Sequence, residues 1–115
     1  MALHVCRMKG LNKVTLIGHL GKTPEVKVIR EKLKVSQISI ATTEMYRDKD
    51  GQVKTHTDWH NLVLWDRLAG MAEKYLRKGS LVYIEGKLKT RKYEDKDGQY
   101  KYVSEVIVDQ IIMLK

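Results

Sequence analysis

The sequence contains one cysteine, one proline and no hydrophobic run long enough to span a membrane. Because Cys6 has no partner in the chain, an internal disulfide is excluded and a reducing, cytoplasmic compartment is expected. A membrane-spanning helix needs roughly eighteen apolar residues and a surface-lying helix needs a long cationic amphipathic stretch, and the sequence has neither. It also lacks a glycine-rich phosphate loop, a serine elbow and a cysteine–histidine pairing. These absences argue against a membrane protein and against the commonest enzyme classes.

Basic residues outnumber acidic ones by 22 to 14, which gives a formal net charge of +8 and a sequence pI near 9.6. Such a charge favours a polyanionic partner, and with a membrane disfavoured the preferred partner is nucleic acid. At 115 residues the chain is long enough for one domain with a single modest core. We predict one domain over residues 10–115. It follows a flexible extension over residues 1–9 that is too short for a signal peptide, with Met8 as an alternative start.

The segment THTDWHNLVLWDR at residues 55–67 alternates as a half-buried strand does. Side chains two apart share a face of a strand, so the two tryptophans lie on one face and the two leucines on the other. The aliphatic face closes a core. The ring face has two interpretations, because large aromatics are mostly covered in folded proteins, whereas rings left outside form a stacking platform. The tryptophan face comprises Trp59, Asn61, Val63 and Trp65; the opposite face comprises His60, Leu62 and Leu64.

Extended patterns dominate the rest of the chain. The tetrapeptide DKDG occurs at 48–51 and again at 95–98, and it predicts two hairpin tips because Asp-Gly supplies the positive φ of tight turns. Five strands with one helix between the third and fourth are the order of an all-β, five-stranded OB-fold Greek-key barrel. The extended segments are 11–20, with Val14 and Leu16 inward and with 26–30 resuming the pattern after a bend, then 35–43, the tryptophan strand, 81–93 and 100–109.

One helix is predicted over residues 66–78 from its apolar spacing. Asp66 is the predicted N-cap, and Arg77 and Lys78 lie where cations suit the negative end of the helix dipole. Gly79 is expected to supply the left-handed residue that stops the helix. The residues predicted on its buried face are Leu68, Ala69, Ala72, Tyr75 and Leu76.

Four aromatic side chains lie on the predicted strands or beside their tips, with cations close to them in sequence. Interleaved rings and cations suit a single-stranded nucleic acid, because a duplex exposes no base faces for stacking. A tyrosine alone is more often an ordinary strand residue, and the basic ladder of 87–91 is equally a solvated edge that blocks aggregation, but the four rings and their cations together favour nucleic-acid binding. The aromatic residues are Tyr46, Trp59, Trp65 and Tyr93; the cations are Arg47, Lys49, Arg67, Lys87, Lys89, Arg91 and Lys92.

A metal site is a weaker interpretation of the same strand. His56, Asp58 and His60 would share one face at a spacing that can hold a metal, but no third histidine or cysteine completes the site. We therefore expect no metal, no cofactor and no enzymatic activity. A metal-dependent enzyme that uses the two histidines is the remote alternative.

Two long segments of the sequence resemble the bacterial-type single-stranded DNA-binding protein family. They are LNKVTLIGHLGKTPEV at 11–26 and DWHNLVLWDRLAGMAEKYLRKGSLVYIEGKLKTRKY at 58–93, followed by SEVIV in the return strand. The resemblance covers residues 10–114. It implies an OB-fold that assembles as a homotetramer and coats single-stranded DNA in replication, recombination and repair, without being an enzyme. The alternative is a primosomal accessory protein that is built on the same barrel and acts as a dimer.

The resemblance implies stacking roles for Tyr46, Trp59, Trp65 and Tyr93, although tryptophan is commoner in the family at Tyr46 and Tyr93 and phenylalanine at Trp65. It places His60 near subunit contacts and implies a cytoplasmic, nucleoid-associated location. Family members usually continue into a flexible tail whose acidic tip recruits replication and repair proteins. The sequence ends at Lys115 without that tip, either through truncation or as a short variant specialised for binding. The basic positions that match are Lys13, Arg47, Lys49, Arg67, Lys78, Arg91 and Lys92.

Overall fold

Six strands and one helix follow one another along the chain in a computed structural model that describes residues 10–115. The flexible extension predicted for residues 1–9 lies outside the described residues. Alternation of apolar and polar side chains, with many β-branched residues, accounts for the dominance of strands. The elements are β1 (Val14–Leu20), β2 (Val26–Ile29), β3 (Leu33–Arg47), β4 (Val53–Trp65), α1 (Arg67–Tyr75), β5 (Leu81–Glu94) and β6 (Tyr100–Met113).

Five of the strands close into a barrel in the order β1-β5-β6-β4-β3, and β1 returns to pair with β3. The closure joins His19 to Ala41 and Leu20 to Ile40, while the four-residue β2 lies outside, on the edge of β3. Gly18 permits this closure, because a Cβ at that position would collide with the carbonyl oxygen of Ala41. Among the five long strands the helix falls between the third and fourth, so the predicted OB-fold barrel is confirmed.

The core fills the barrel and continues under the helix. Leu62 and Leu64 of β4 are buried as their face predicts, and Val14 and Leu16 pack partly buried against the same cluster. The helix packs against β2, β3 and β4, and its buried residues Ala69 and Ala72 are small enough for a close approach. The remaining buried apolar residues include Ile38, Ile40, Leu76, Val82, Ile84, Val106, Val108 and Ile111.

The predicted start of the helix is confirmed, whereas its predicted end at Lys78 was wrong. Asp66 occupies the N-cap position with φ 49°, but its side chain makes no cap; instead its Oδ1 accepts a hydrogen bond from the backbone N–H of Lys34 at 3.3 Å. The helix ends at Tyr75, and Gly79, with φ 89°, belongs to the turn that follows. Tyr75 is 56% exposed instead of buried. Six helical steps of about 100° rotate it roughly 120° away from Ala69, onto the flank of the helix.

Two long hairpins, β3–β4 and β5–β6, end in near-identical turns, which confirms the predicted tips. In the first, Asp48 Oδ1 accepts the backbone N–H groups of Asp50 and Gln52, each at 2.9 Å. In the second, the same two bonds run at the same 2.9 Å to the corresponding aspartate. Because the side chain satisfies the turn amides, both tips are fixed by local chemistry. The equivalent residues of the second tip are Asp95, Asp97 and Gln99, and the glycines at positive φ are Gly51 and Gly98.

Candidate nucleic-acid interface

The strand register decides which of the predicted site residues share a surface, because residues paired across neighbouring strands point to the same face. Within β4 the tryptophan face includes Val63, which pairs with Ile107 of β6 in a short parallel contact. Ile107 pairs in turn with Lys87 of β5. We call this continuous surface the outer face. Its predicted site residues are Arg47, Trp59, Trp65, Lys87, Lys89, Arg91 and Tyr93.

Both indole rings stay outside the core. Trp59 is 59% exposed and Trp65 is 39% exposed, whereas Leu64 between them is fully buried. Val63 lies on the same face between the two rings but is buried, so the two exposed rings are separated by a covered apolar side chain. The exposure that the platform interpretation requires is therefore present, and burial of the two rings is excluded.

Gly21 supports the ring of Trp59. A Cβ on Gly21 would lie 2.6 Å from Cζ3 and 3.1 Å from Cη2 of the indole, so only glycine lets the ring rest at this height. The backbone N–H of Gly21 donates to the carbonyl oxygen of Ser39 at 3.0 Å, which fixes the support against β3. Ser39 lies two residues before Ala41, the cross-strand partner of Trp59. The indole is thus positioned by the loop after β1, which the sequence did not reveal.

An open groove of about 1000 Å³ runs beside Gly21, between the loop after β1, the edge strand β2 and the β5–β6 hairpin. Its floor carries neutral polar side chains from β3 and β4, and its walls carry four cations with two carboxylates among them. Two of the cations were predicted as site residues and two were not. The floor residues are Gln37, Ser39 and Asn61; the cations are Lys22, Lys27, Lys78 and Arg91; the carboxylates are Glu25 and Glu105.

Arg91 is not a free cation. Its Nε donates to Oε1 of Glu105 at 2.8 Å, and the glutamate side chain is only 10% exposed. The partly exposed guanidinium therefore neutralises a nearly buried carboxylate. Its positive charge is less available to a phosphate than that of an unpaired cation. Lys87 and Lys89 on the same strand are exposed.

Two predicted site residues lie on the opposite side of the sheet. Tyr46 pairs with Lys54, on the face that carries Ile40 and His60 toward the core, so it does not share the outer face with the tryptophans. Lys92 pairs with Tyr102, also away from the outer face. Alternation within β5 already puts Lys92 on the face opposite Arg91, whereas the position of Tyr46 relative to the tryptophans depends on the register of β3 with β4. The four rings predicted as one platform are therefore three on the outer face and one behind it.

The remaining predicted cations are spread over the surface. Lys13 Nζ lies 4.0 Å from Oε1 of Glu85 in the first half of β5, Lys49 lies at the first hairpin tip, and Arg67 begins the helix. None of these three cations lines the groove beside Gly21.

The histidines considered for a metal site make ordinary polar contacts. His60 Nε2 lies 2.8 Å from Thr42 Oγ1, and His56 Nε2 lies 3.0 Å from Asp58 Oδ1. Within residues 10–115 no three histidine, cysteine or carboxylate side chains are grouped so that they would hold a metal ion. In the same part of the chain, no helix has the length and apolar character needed to cross a membrane.

Comparison with known proteins places these features in one family. The model of the single-strand binding protein family matches residues 11–114. A Plasmodium falciparum SSB in complex with ssDNA superimposes with a TM-score of 0.85 at 38% identity, and the match covers 96% of this chain and 100% of that one. A deletion mutant of the single-stranded DNA binding protein from Thermus aquaticus matches with a TM-score of 0.79 at 30% identity, over 92% of this chain and 51% of that one.

Proposed function

The chain belongs to the single-strand binding protein family, and we propose that it binds single-stranded DNA without regard to sequence. The observation that carries the proposal is the outer face, where Trp59, Trp65 and Tyr93 stand exposed beside lysines. Stacking on an aromatic ring contributes about 1–3 kcal/mol per base and is open to every base. The family match favours this function over that of a primosomal accessory protein.

The groove beside Trp59 supplies the second part of the interaction. Lys22, Lys27 and Lys78 surround it, so the phosphate backbone of a bound strand meets positive charge while its bases face the rings. Amide and hydroxyl groups on the groove floor can donate to or accept from any base edge, which adds contacts without fixing one sequence. Binding of this kind protects single strands exposed in replication, recombination and repair.

We propose in addition that the protein assembles as a homotetramer. The register aligns Ile17 of β1, Tyr83 of β5 and Ile112 of β6 in one row across the outside of the barrel. Ile17 is 54% and Ile112 is 44% exposed, and such contiguous apolar surface marks an interaction site. Because one small barrel cannot wrap a long strand, several copies joined through this row give the strand a longer path.

The function is tested by titrating the protein with oligo-dT while its tryptophan fluorescence is measured, together with the mass of the complex. We expect strong, saturable quenching, since bases stacked on exposed indoles change their emission. A duplex of equal length, whose base faces are already stacked, serves as the control and should quench far less. Absence of quenching and of any complex at low salt would overturn the proposed function.

A further inference from the structure

The distal half of the β5–β6 hairpin carries an aromatic surface that the outer face does not include. β1 pairs with β5 only as far as Gly86, and β4 pairs with β6 only at Val106 and Ile107. Beyond those pairs the hairpin is a two-stranded ribbon with both faces open. One side of the ribbon belongs to the outer face. We call the other side the tyrosine face; it comprises Leu88, Thr90, Lys92, Glu94, Tyr100, Tyr102 and Ser104.

The rings on the tyrosine face are more exposed than those on the outer face. Tyr100 is 63% and Tyr102 is 69% exposed, against 59% for Trp59, and neither contributes to the hydrophobic core. Lys92 Nζ lies 4.0 Å from the centre of the Tyr100 ring, so a cation is held on the aromatic surface. The carboxylate on this face, Glu94, is turned toward Gly98 at the hairpin tip. The face therefore offers flat rings and positive charge together.

We propose that the tyrosine face is a second base-stacking surface, onto which a single strand bound to the outer face continues around the hairpin. This inference rests on the proposed function. Tyr93 and Lys92 are neighbours in sequence on opposite sides of β5, so rings and cations continue from one face to the other. The ribbon is narrow, since paired strands lie only about 5 Å apart. Tyr46, which the outer face leaves out, lies on the same side of the sheet as the tyrosine face.

The test compares the pair of substitutions Tyr100→Ala and Tyr102→Ala with the parent protein on two lengths of oligo-dT. The short length is the shortest that saturates tryptophan quenching; the long length is several times greater. Tyr75→Ala is the matched control, because Tyr75 is also an exposed tyrosine with a lysine over its ring, Lys74 at 5.3 Å, but lies on the helix. If the alanine pair disturbs folding, both tyrosines are changed to leucine instead, which removes the rings but keeps large apolar side chains.

We expect the paired variant to bind the short oligonucleotide as the parent does. Affinity for the long one should fall about five- to 150-fold for each ring lost, the equivalent of one stacked base, and each subunit should cover fewer nucleotides. The Tyr75 control should change neither. The inference is overturned if affinity for long oligo-dT is unchanged, whether or not subunit assembly changes. It is also overturned if affinity falls equally on both lengths. A parent protein that binds no oligo-dT would instead overturn the proposed function.

Discussion

Gly21 is the residue on which the height of the Trp59 indole depends. A Cβ at this position would collide with the six-membered ring, so any side chain there must displace the indole. The ring is the far end of a mobile side chain, so it can move without disturbing the barrel. The consequence of a larger residue is therefore expected in binding more than in folding.

Gly21→Ala should lower the affinity for oligo-dT by up to the value of one stacked base, about 1–3 kcal/mol, with little change in melting temperature. Fluorescence titration and thermal unfolding measure the two quantities. Gly70→Ala is the control: a Cβ at Gly70 meets nothing within 4 Å, and alanine in a helix should add up to about 1 kcal/mol of stability without changing affinity. Unchanged affinity in Gly21→Ala would show that the ring height does not matter.

Arg91 and Glu105 form an ion pair that is expected to contribute to folding stability more than to DNA binding. Arg91→Ala leaves the nearly buried carboxylate of Glu105 without its donor, and we expect a loss of about 1–3 kcal/mol in the free energy of unfolding. Replacing both residues by alanine should cost less than the sum of the single changes, because the double variant leaves no unpaired charge. Urea unfolding of the three variants gives the comparison. Strict additivity would mean that the pair contributes nothing.

At the scale of elements, β5 changes role along its length. Its first half is buried in the barrel through Val82 and Ile84, and a bulge between Glu85 and Gly86 precedes the exposed second half. The second half carries Lys87 and Lys89 on the outer face. Because these lysines are exposed and unpaired with any acidic side chain in the described residues, they are the cations of β5 best suited to phosphate contacts.

Replacing Lys87 and Lys89 by alanine should reduce the slope of log affinity against log salt by about 1.4, which is twice the roughly 0.7 expected per phosphate neutralised on a single strand. Titrations at several salt concentrations measure the slope. Lys74→Ala, which removes a charge from the exposed side of the helix, should leave the slope as it is. If the double variant keeps the parent slope, the second half of β5 faces away from DNA.

Most elements could be predicted from the sequence because they follow from local chemistry. Alternation places the strands, and each Asp-Gly tip closes itself through Asp48 or its counterpart Asp95. What could not be predicted depends on pairing between distant segments. The separation of Tyr46 from the tryptophans is set by the β3–β4 register, and the support under Trp59 comes from a loop about forty residues earlier in the chain. The end of the helix was missed because the chain already turns extended at Leu76, three residues before Gly79.

At the scale of the whole molecule, the outside of the barrel carries two kinds of surface. The outer face and its groove carry rings and cations, and the row through Ile17 and Ile112 carries exposed apolar side chains. A net charge of +8 suits the first surface to a polyanion. A polyanion has no reason to cover the apolar side chains of the second. The second surface is therefore expected to be buried against further copies of the chain.

Ile17→Lys combined with Ile112→Lys should dissociate the predicted tetramer into smaller species while the barrel remains folded, because both side chains are exposed within the subunit. Light scattering at micromolar concentration gives the mass, and circular dichroism checks the fold. Val28→Lys, at a residue that is 61% exposed on the edge strand, should leave the mass unchanged. A parent protein that scatters as a monomer would contradict the assembly.

The central claim, that the two tryptophans are platforms for bases, is tested most directly by measuring Trp59→Ala and Trp65→Ala for both melting temperature and affinity for oligo-dT. Truncating a buried tryptophan costs about 3–5 kcal/mol of folding stability, whereas substitutions of exposed side chains stay within about 0.5 kcal/mol. We predict that both variants remain folded and that each loses about 1–3 kcal/mol of binding free energy. Variants that unfold would make the rings structural, and variants that bind as tightly as the parent would contradict the account.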